Sequence, residues 1–192
     1  MNDGMMIPRY DQPICTAGQV STILARPRPT IAGWISRYSW LGIVAVQPGK
    51  TRLFTPSEIG TLVALRLAIS AGNMADILGD SIDLIAPEID AEYDRLTGMM
   101  QLDEWGASGT LKPRLPKFDE ANLILVSHGG GSEQGGLMPN AFMPSRSPKS
   151  EGAYIADMSG FELPEIVLPL GQGLRNAWTR MLWLLNGFAV VD

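Results

Sequence analysis

The tetrapeptide Thr55-Pro56-Ser57-Glu58 fixes a helix start more firmly than any other stretch of the sequence. Threonine offers an N-cap oxygen, and proline suits the first helical position because the N–H it lacks would have no helical partner there. Glutamate three residues after the cap completes a capping box. Ile59, Leu62, Val63, Leu65, Leu67 and Ile69 follow, so the spacing predicts a helix that stops near Ala71-Gly72.

The residues before it read as two shorter helices and a hairpin. Thr16 with Gln19 is a second capping box, and Val20, Ile23 and Leu24 place an amphipathic helix over residues 16–25. Arg26-Pro27-Arg28-Pro29 breaks that helix, since neither proline can donate a helical hydrogen bond. A further helix is expected from Pro29 or Thr30 to about Tyr38, with Ile31, Trp34 and Ile35 at helical spacing. Two short helices about a tight break are the parts of a helix-turn-helix. Leu41 to Val46, the turn Gln47-Pro48-Gly49-Lys50 and the run Thr51 to Phe54 then read as a small β-hairpin.

Helix, break, helix, hairpin and capped helix is the winged helix-turn-helix order. The run Gly49-Lys50-Thr51-Arg52-Leu53-Phe54-Thr55-Pro56-Ser57-Glu58-Ile59 resembles the wing and following helix of the MerR-type bacterial transcriptional regulators. Ala17-Gly18-Gln19-Val20 and Thr30-Ile31-Ala32-Gly33-Trp34-Ile35 resemble that family's first and recognition helices. The likeness covers residues 14 to about 78. It implies that the helix near Thr30 enters the major groove of double-stranded DNA, that the wing touches the backbone, and that a homodimer reads a palindromic site. On that basis Arg28 and Thr30 reach base edges, Arg37 lies farther along the helix, and Lys50, Thr51 and Arg52 meet phosphate. Trp34, Leu53 and Phe54 are expected to pack in the core. Pro27 and Pro29 stand where the family has a short polar turn, and Gly33 and Trp34 where it often has arginine and paired aromatics.

Beyond the resemblance, Met74, Ile77, Leu78, Ile82 and Ile85 repeat at helical spacing, and Ile89, Tyr93, Leu96 and Met100 continue the stripe after Pro87. Two helices, or one kinked at Pro87, are expected, with dimerisation as their role. Residues 103–120 suit a linker, Ala121 to Val126 a strand, and the glycine-rich residues 129–136 through Ser150 a flexible loop. Ala153 to Met158, Glu165 to Leu170 and Phe188 to Val191 read as strands, and Leu174 to Leu185 as a helix. The expected fold is α+β, mainly α. A winged-helix DNA-binding domain (1–72) leads through a helical connector (73–102) to a small C-terminal α+β module (103–192).

With 192 residues, 45% hydrophobic and 18% charged, the chain excludes a disordered tail or a collagen-like scaffold. The net charge of −5 would argue against a nucleic-acid partner if it were evenly spread. Residues 1–72 hold seven basic and three acidic side chains, a balance of +4, whereas the rest hold eight and seventeen, a balance of −9. Such asymmetry points to DNA contact by the basic part. A single cysteine, Cys15, rules out an internal disulfide and reads as a small buried hydrophobe. No apolar run approaches the roughly 18 residues of a membrane span, and Met1 to Ile14 lacks the apolar centre of a signal peptide. A cytoplasmic location is expected.

Catalytic signals are weak. Ser127-His128-Gly129-Gly130-Gly131 after an apolar strand imitates an esterase oxyanion loop, but the sole histidine is already used and no Gly-x-Ser-x-Gly elbow exists. Gly171-Gln172-Gly173 imitates a dinucleotide-binding turn, but Asn176 occupies the third glycine position, so these glycines are read as ending a strand. Cys15 and His128 are too few for metal sensing. No enzyme, cofactor or metal is expected. The sequence therefore points to a transcriptional regulator, with a protein or small effector at the C-terminal module. Alternatives are a phage architectural or packaging factor of the excisionase or small-terminase kind, and a protein-interaction adaptor that has lost DNA binding.

Overall fold

In a computed structural model, residues 6–44, 51–102, 120–126, 141–147 and 166–187 are described. Among the described residues the chain is mainly helical, with two small antiparallel sheets.

The first sheet is a two-residue pairing that ties the start of the fold to the entrance of its central helix. Strand β1 (Cys15–Thr16) pairs with β2 (Leu53–Phe54), Cys15 opposite Phe54 and Thr16 opposite Leu53. The expected hairpin therefore differs in its described part: β2 takes its partner from before the first helix. Leu41 closes a 3₁₀ turn, Ser39–Leu41, and Gly42 adopts φ 64°. Leu41 and Ile43 are buried while Gly42 and Val44 are exposed. The apolar run that suggested a strand is, in its described part, an irregular segment that inserts Leu41 and Ile43 into the core. Residues 45–50, the expected turn, lie outside the described residues.

Helix α1 (Ala17–Leu24) begins at the capping box read from the sequence: the Gln19 N–H donates to Thr16 Oγ1 at 3.3 Å, and the Thr16 N–H to Gln19 Oε1 at 2.8 Å. It ends on Ala25, whose φ of 49° is in the left-handed region. Pro27 then stands at the N-cap of α2 (Arg28–Arg37) and Pro29 in its first turn, where a missing N–H costs little. The prolines that break one helix open the next.

Helix α3 (Pro56–Ser70) starts at the second capping box, with Glu58 N–H to Thr55 Oγ1 and Thr55 N–H to Glu58 Oε2 both 3.1 Å. Ile59, Gly60, Leu62, Val63, Ala64, Leu65 and Ala68 are buried, on nearly every side, which makes α3 the centre of the molecule. Helix α4 (Ala75–Asp80) and helix α5 (Ile82–Leu102) follow. The break lies at Ser81, whose N–H bonds Leu78 O at 3.1 Å and whose hydroxyl bonds Ile77 O at 3.0 Å. Pro87, where the break was expected, sits inside α5 on an exposed face, so it forfeits one helical hydrogen bond without obstructing packing.

The second sheet is ordered β4-β3-β5 from β3 (Glu120–Val126), β4 (Ala141–Ser147) and β5 (Ile166–Leu168). Strand β4 falls within the segment expected to be a flexible loop. Its polar residues and Pro144 concealed it, yet both are acceptable on a strand that, among the described residues, pairs on one side only. Of the linker expected over 103–120, only Glu120 is described, and it opens β3; the rest of it and the strands expected over 153–158 and 188–191 lie outside the described residues.

Helix α6 (Leu170–Leu185) starts four residues before the expected position. Gly171-Gln172-Gly173 forms its first turn and does not end a strand. A β-carbon at Gly173 would lie 3.1 Å from Val63 and 3.3 Å from Leu67, so this glycine lets α6 approach α3 closely. Helix α6 packs on α1, α3 and α5, and its Leu174, Trp178, Met181 and Leu182 belong to the same core as Val20, Leu62 and Ile89. Trp178 Nε1 donates to Pro56 O at 3.1 Å, and its ring meets Tyr93 edge-on at 5.0 Å. The Tyr93 hydroxyl donates to Pro8 O at 2.7 Å, and Asn186 exchanges hydrogen bonds with the Met6 backbone. The stripe expected to serve dimerisation is occupied here: Leu78, Ile85, Ile89, Tyr93 and Leu96 are buried within the chain's own core.

Cys15 is 1% exposed, and burial pushes its thiol from 9.0 up to about 11. Burial likewise raises the Tyr93 phenol. Both groups are held neutral in the fold but ionise more readily once unfolded, so stability is full at neutral pH and starts to fall as pH passes the unfolded thiol's value; the thiol's share of that loss is complete at its folded value, and the phenol's share continues beyond it. Chemical denaturation is expected to show stability falling between about pH 8.5 and 11. Cys15 should resist a thiol reagent at pH 8 in the native protein and react fully in denaturant. Rapid native labelling would contradict its burial.

Candidate nucleic-acid interface

Helix α2 contributes one fully buried side chain, Ile31, to the core, with Trp34 and Ile35 half-buried beside it. Its remaining face, Arg28, Pro29, Ala32, Gly33, Ser36 and Arg37, is exposed. No acidic residue occurs in the helix. Neither arginine is ion-paired with a carboxylate among the described residues. Between them lie Ala32, Gly33 and Ser36, side chains small enough for a flat or convex partner to come close to the backbone.

The structure places five of the six sequence-derived positions, and places them differently from one another. Arg28 folds back over the first helix: a β-carbon at Gly18 would collide with its guanidinium, so the glycine gives the arginine room. Arg28 also lines a cavity of about 190 Å³ with Ala17, Ile35 and Phe54. Thr30 is half-buried in the first turn of α2. Arg37 ends the helix with its guanidinium 5.4 Å from the Tyr38 ring, a favourable stacking for a cation. Thr51 is exposed and Lys50 lies outside the described residues.

Arg52 is engaged within the fold. It donates to Val44 O, pairs with the Glu58 carboxylate and stacks 5.0 Å over the Phe54 ring, leaving its side chain 16% exposed. Glu58 thereby caps α3 with one oxygen and holds Arg52 with the other. Arg52 fastens the segment entering α3 to the segment leaving Ile43. The sequence contained the clue, since a capping glutamate six residues after an arginine meets it across a strand-to-helix corner. Phe54 is buried as expected, but Leu53 is 43% exposed, because adjacent strand residues face opposite ways.

Arg26, Arg66 and Arg180 carry no motif that marks them as a site in the sequence. The Arg66 guanidinium donates to Leu24 O at 2.9 Å and lies close enough to Arg26 and Arg180 to feel their charge. These arginines come from three helix regions far apart in sequence, so only the fold reveals their convergence. No helix among the described residues is long and apolar enough to cross a membrane. No protein-family model matches the chain, and no curated protein matches it.

Proposed function

We propose that the chain is a sequence-specific double-stranded DNA-binding transcriptional regulator of a bacterium or phage, acting in the cytoplasm as a homodimer. Residues 1–72 serve as a winged helix-turn-helix domain resembling the MerR type. Helix α2 lies in the major groove with Arg28 and Thr30 at its leading end, and the wing around Lys50 and Thr51 rests on phosphate. Arg37 adds charge at the trailing end. The observation that carries this reading is the face of α2: exposed, free of acid, bracketed by arginines and narrow at Ala32 and Gly33. An α-helix of that profile fits a major groove, and its cations release counterions from phosphate.

The test selects duplexes from a random pool with the full chain and follows binding by anisotropy between 50 and 200 mM salt. Affinity should fall steeply with salt. Lys50→Gln should weaken all duplexes and flatten the logarithmic salt slope by about one, whereas Thr30→Ala should relax discrimination between sites. Arg52→Gln should act mainly by loosening the Glu58 corner. Failure to retain any duplex at 50 mM salt would refute DNA binding and favour the adaptor alternative. Bending, or occupation of several adjacent sites, would favour an architectural or packaging factor.

A further inference from the structure

Between α1, α3 and α6 lies an open cavity of about 260 Å³. Arg66 and Arg180 enter it from α3 and α6, Gln172 and Asn176 supply amides, and Ile23 and Val63 give it an apolar side. No carboxylate is ion-paired with Arg26, Arg66 or Arg180 among the described residues. Burial and the charges of Arg26 and Arg180 all disfavour the charged form of Arg66. A fold that gathers like charges at a concave site, with hydrogen-bonding amides alongside, gains most from an anion that neutralises them.

We propose that this cavity binds a small organic oxyanion, a phosphate or carboxylate whose apolar body rests on the Ile23 and Val63 side. Arg66 is positioned by its hydrogen bond to Leu24 O, which leaves its other N–H groups to the ligand. Arg180 approaches from the facing helix, and Gln172, Asn176 and Arg180 follow one another at four-residue spacing along one stripe of α6. The guanidinium fork matches planar carboxylate and tetrahedral phosphate alike. The site lies against α1 and does not use the exposed face of α2, so it stands independently of the DNA-binding reading.

The experiment records the thermal midpoint of the full chain in inorganic phosphate, in benzoate and in chloride at matched ionic strength. One oxyanion should raise the midpoint by about 3–6 °C over chloride at ten times its dissociation constant, and the better of the two identifies the headgroup. Arg66→Gln and Arg180→Gln should abolish the rise, and Arg37→Gln should retain it. Asn176→Asp supplies a tethered carboxylate, so that variant should melt higher than the parent and no longer respond. Equal midpoints in all three salts would overturn the proposal. So would an undiminished response in both arginine variants, or displacement of the anion by duplex DNA, which would make these arginines part of a nucleic-acid surface.

Discussion

Trp178→Ala is expected to remove about 3–5 kcal/mol of stability, the range for deleting a large buried aromatic. Trp178 is fully buried, and it is the point at which three distant stretches of chain meet. Its indole N–H bonds Pro56 O in the first turn of α3, its ring stands nearly perpendicular to that of Tyr93 from α5, and it abuts Gly60. The cavity left by alanine would be walled by helices whose own contacts hold them in place, so collapse into it is limited. Urea denaturation of parent and variant measures the loss. For a chain of this size the thermal midpoint should fall by roughly 6–20 °C. Trp178→Phe keeps most of the volume and loses the hydrogen bond, so it should cost distinctly less. An alanine variant with an unchanged urea midpoint would mean that α6 does not dock as described.

Gly60→Val should be nearly as damaging, for the opposite reason. A β-carbon at residue 60 would lie 2.5 Å from Ile89 Cγ2, 3.0 Å from Trp178 Cζ2 and 3.4 Å from Leu174 Cδ2. Alanine would gain about 1 kcal/mol of helix propensity over glycine, but overpacking of a filled core costs about 1–3 kcal/mol. Valine adds two methyl groups to the same collision, so crowding decides the sign. Gly33 offers the internal comparison. A β-carbon there meets nothing within 4 Å, so Gly33→Ala should stabilise by about 0.5–1 kcal/mol. Equal effects of alanine at residues 60 and 33 would refute the close approach of α3, α5 and α6.

Much of the N-terminal region was legible because its signals are local. Both capping boxes form with the residues named from the sequence, and the prolines at 27 and 29 mark the boundary between α1 and α2. What could not be read depends on partners far away. The partner of Leu53–Phe54 lies nearly 40 residues upstream, and Pro144 hid strand β4. The Gly-x-Gly near residue 172 looked like a turn because its reason, Val63 and Leu67 of another helix, is absent from the local sequence. The candidate interface was legible as charge and spacing, but not the engagement of Arg52 by Glu58 or the gathering of Arg26, Arg66 and Arg180.

The docking of α6 also sets the order in which the protein can be made. The face of α3 around Val63 and Leu67 is closed by Gly173 and its neighbours, more than a hundred positions later in the chain. At about 5–20 residues per second, a ribosome needs roughly 6–23 s to travel from the end of α3 to the end of α6. Throughout that interval the nascent N-terminal helices carry an open apolar flank. Chaperone capture of the growing chain should therefore peak before residue 185 emerges and end soon afterwards.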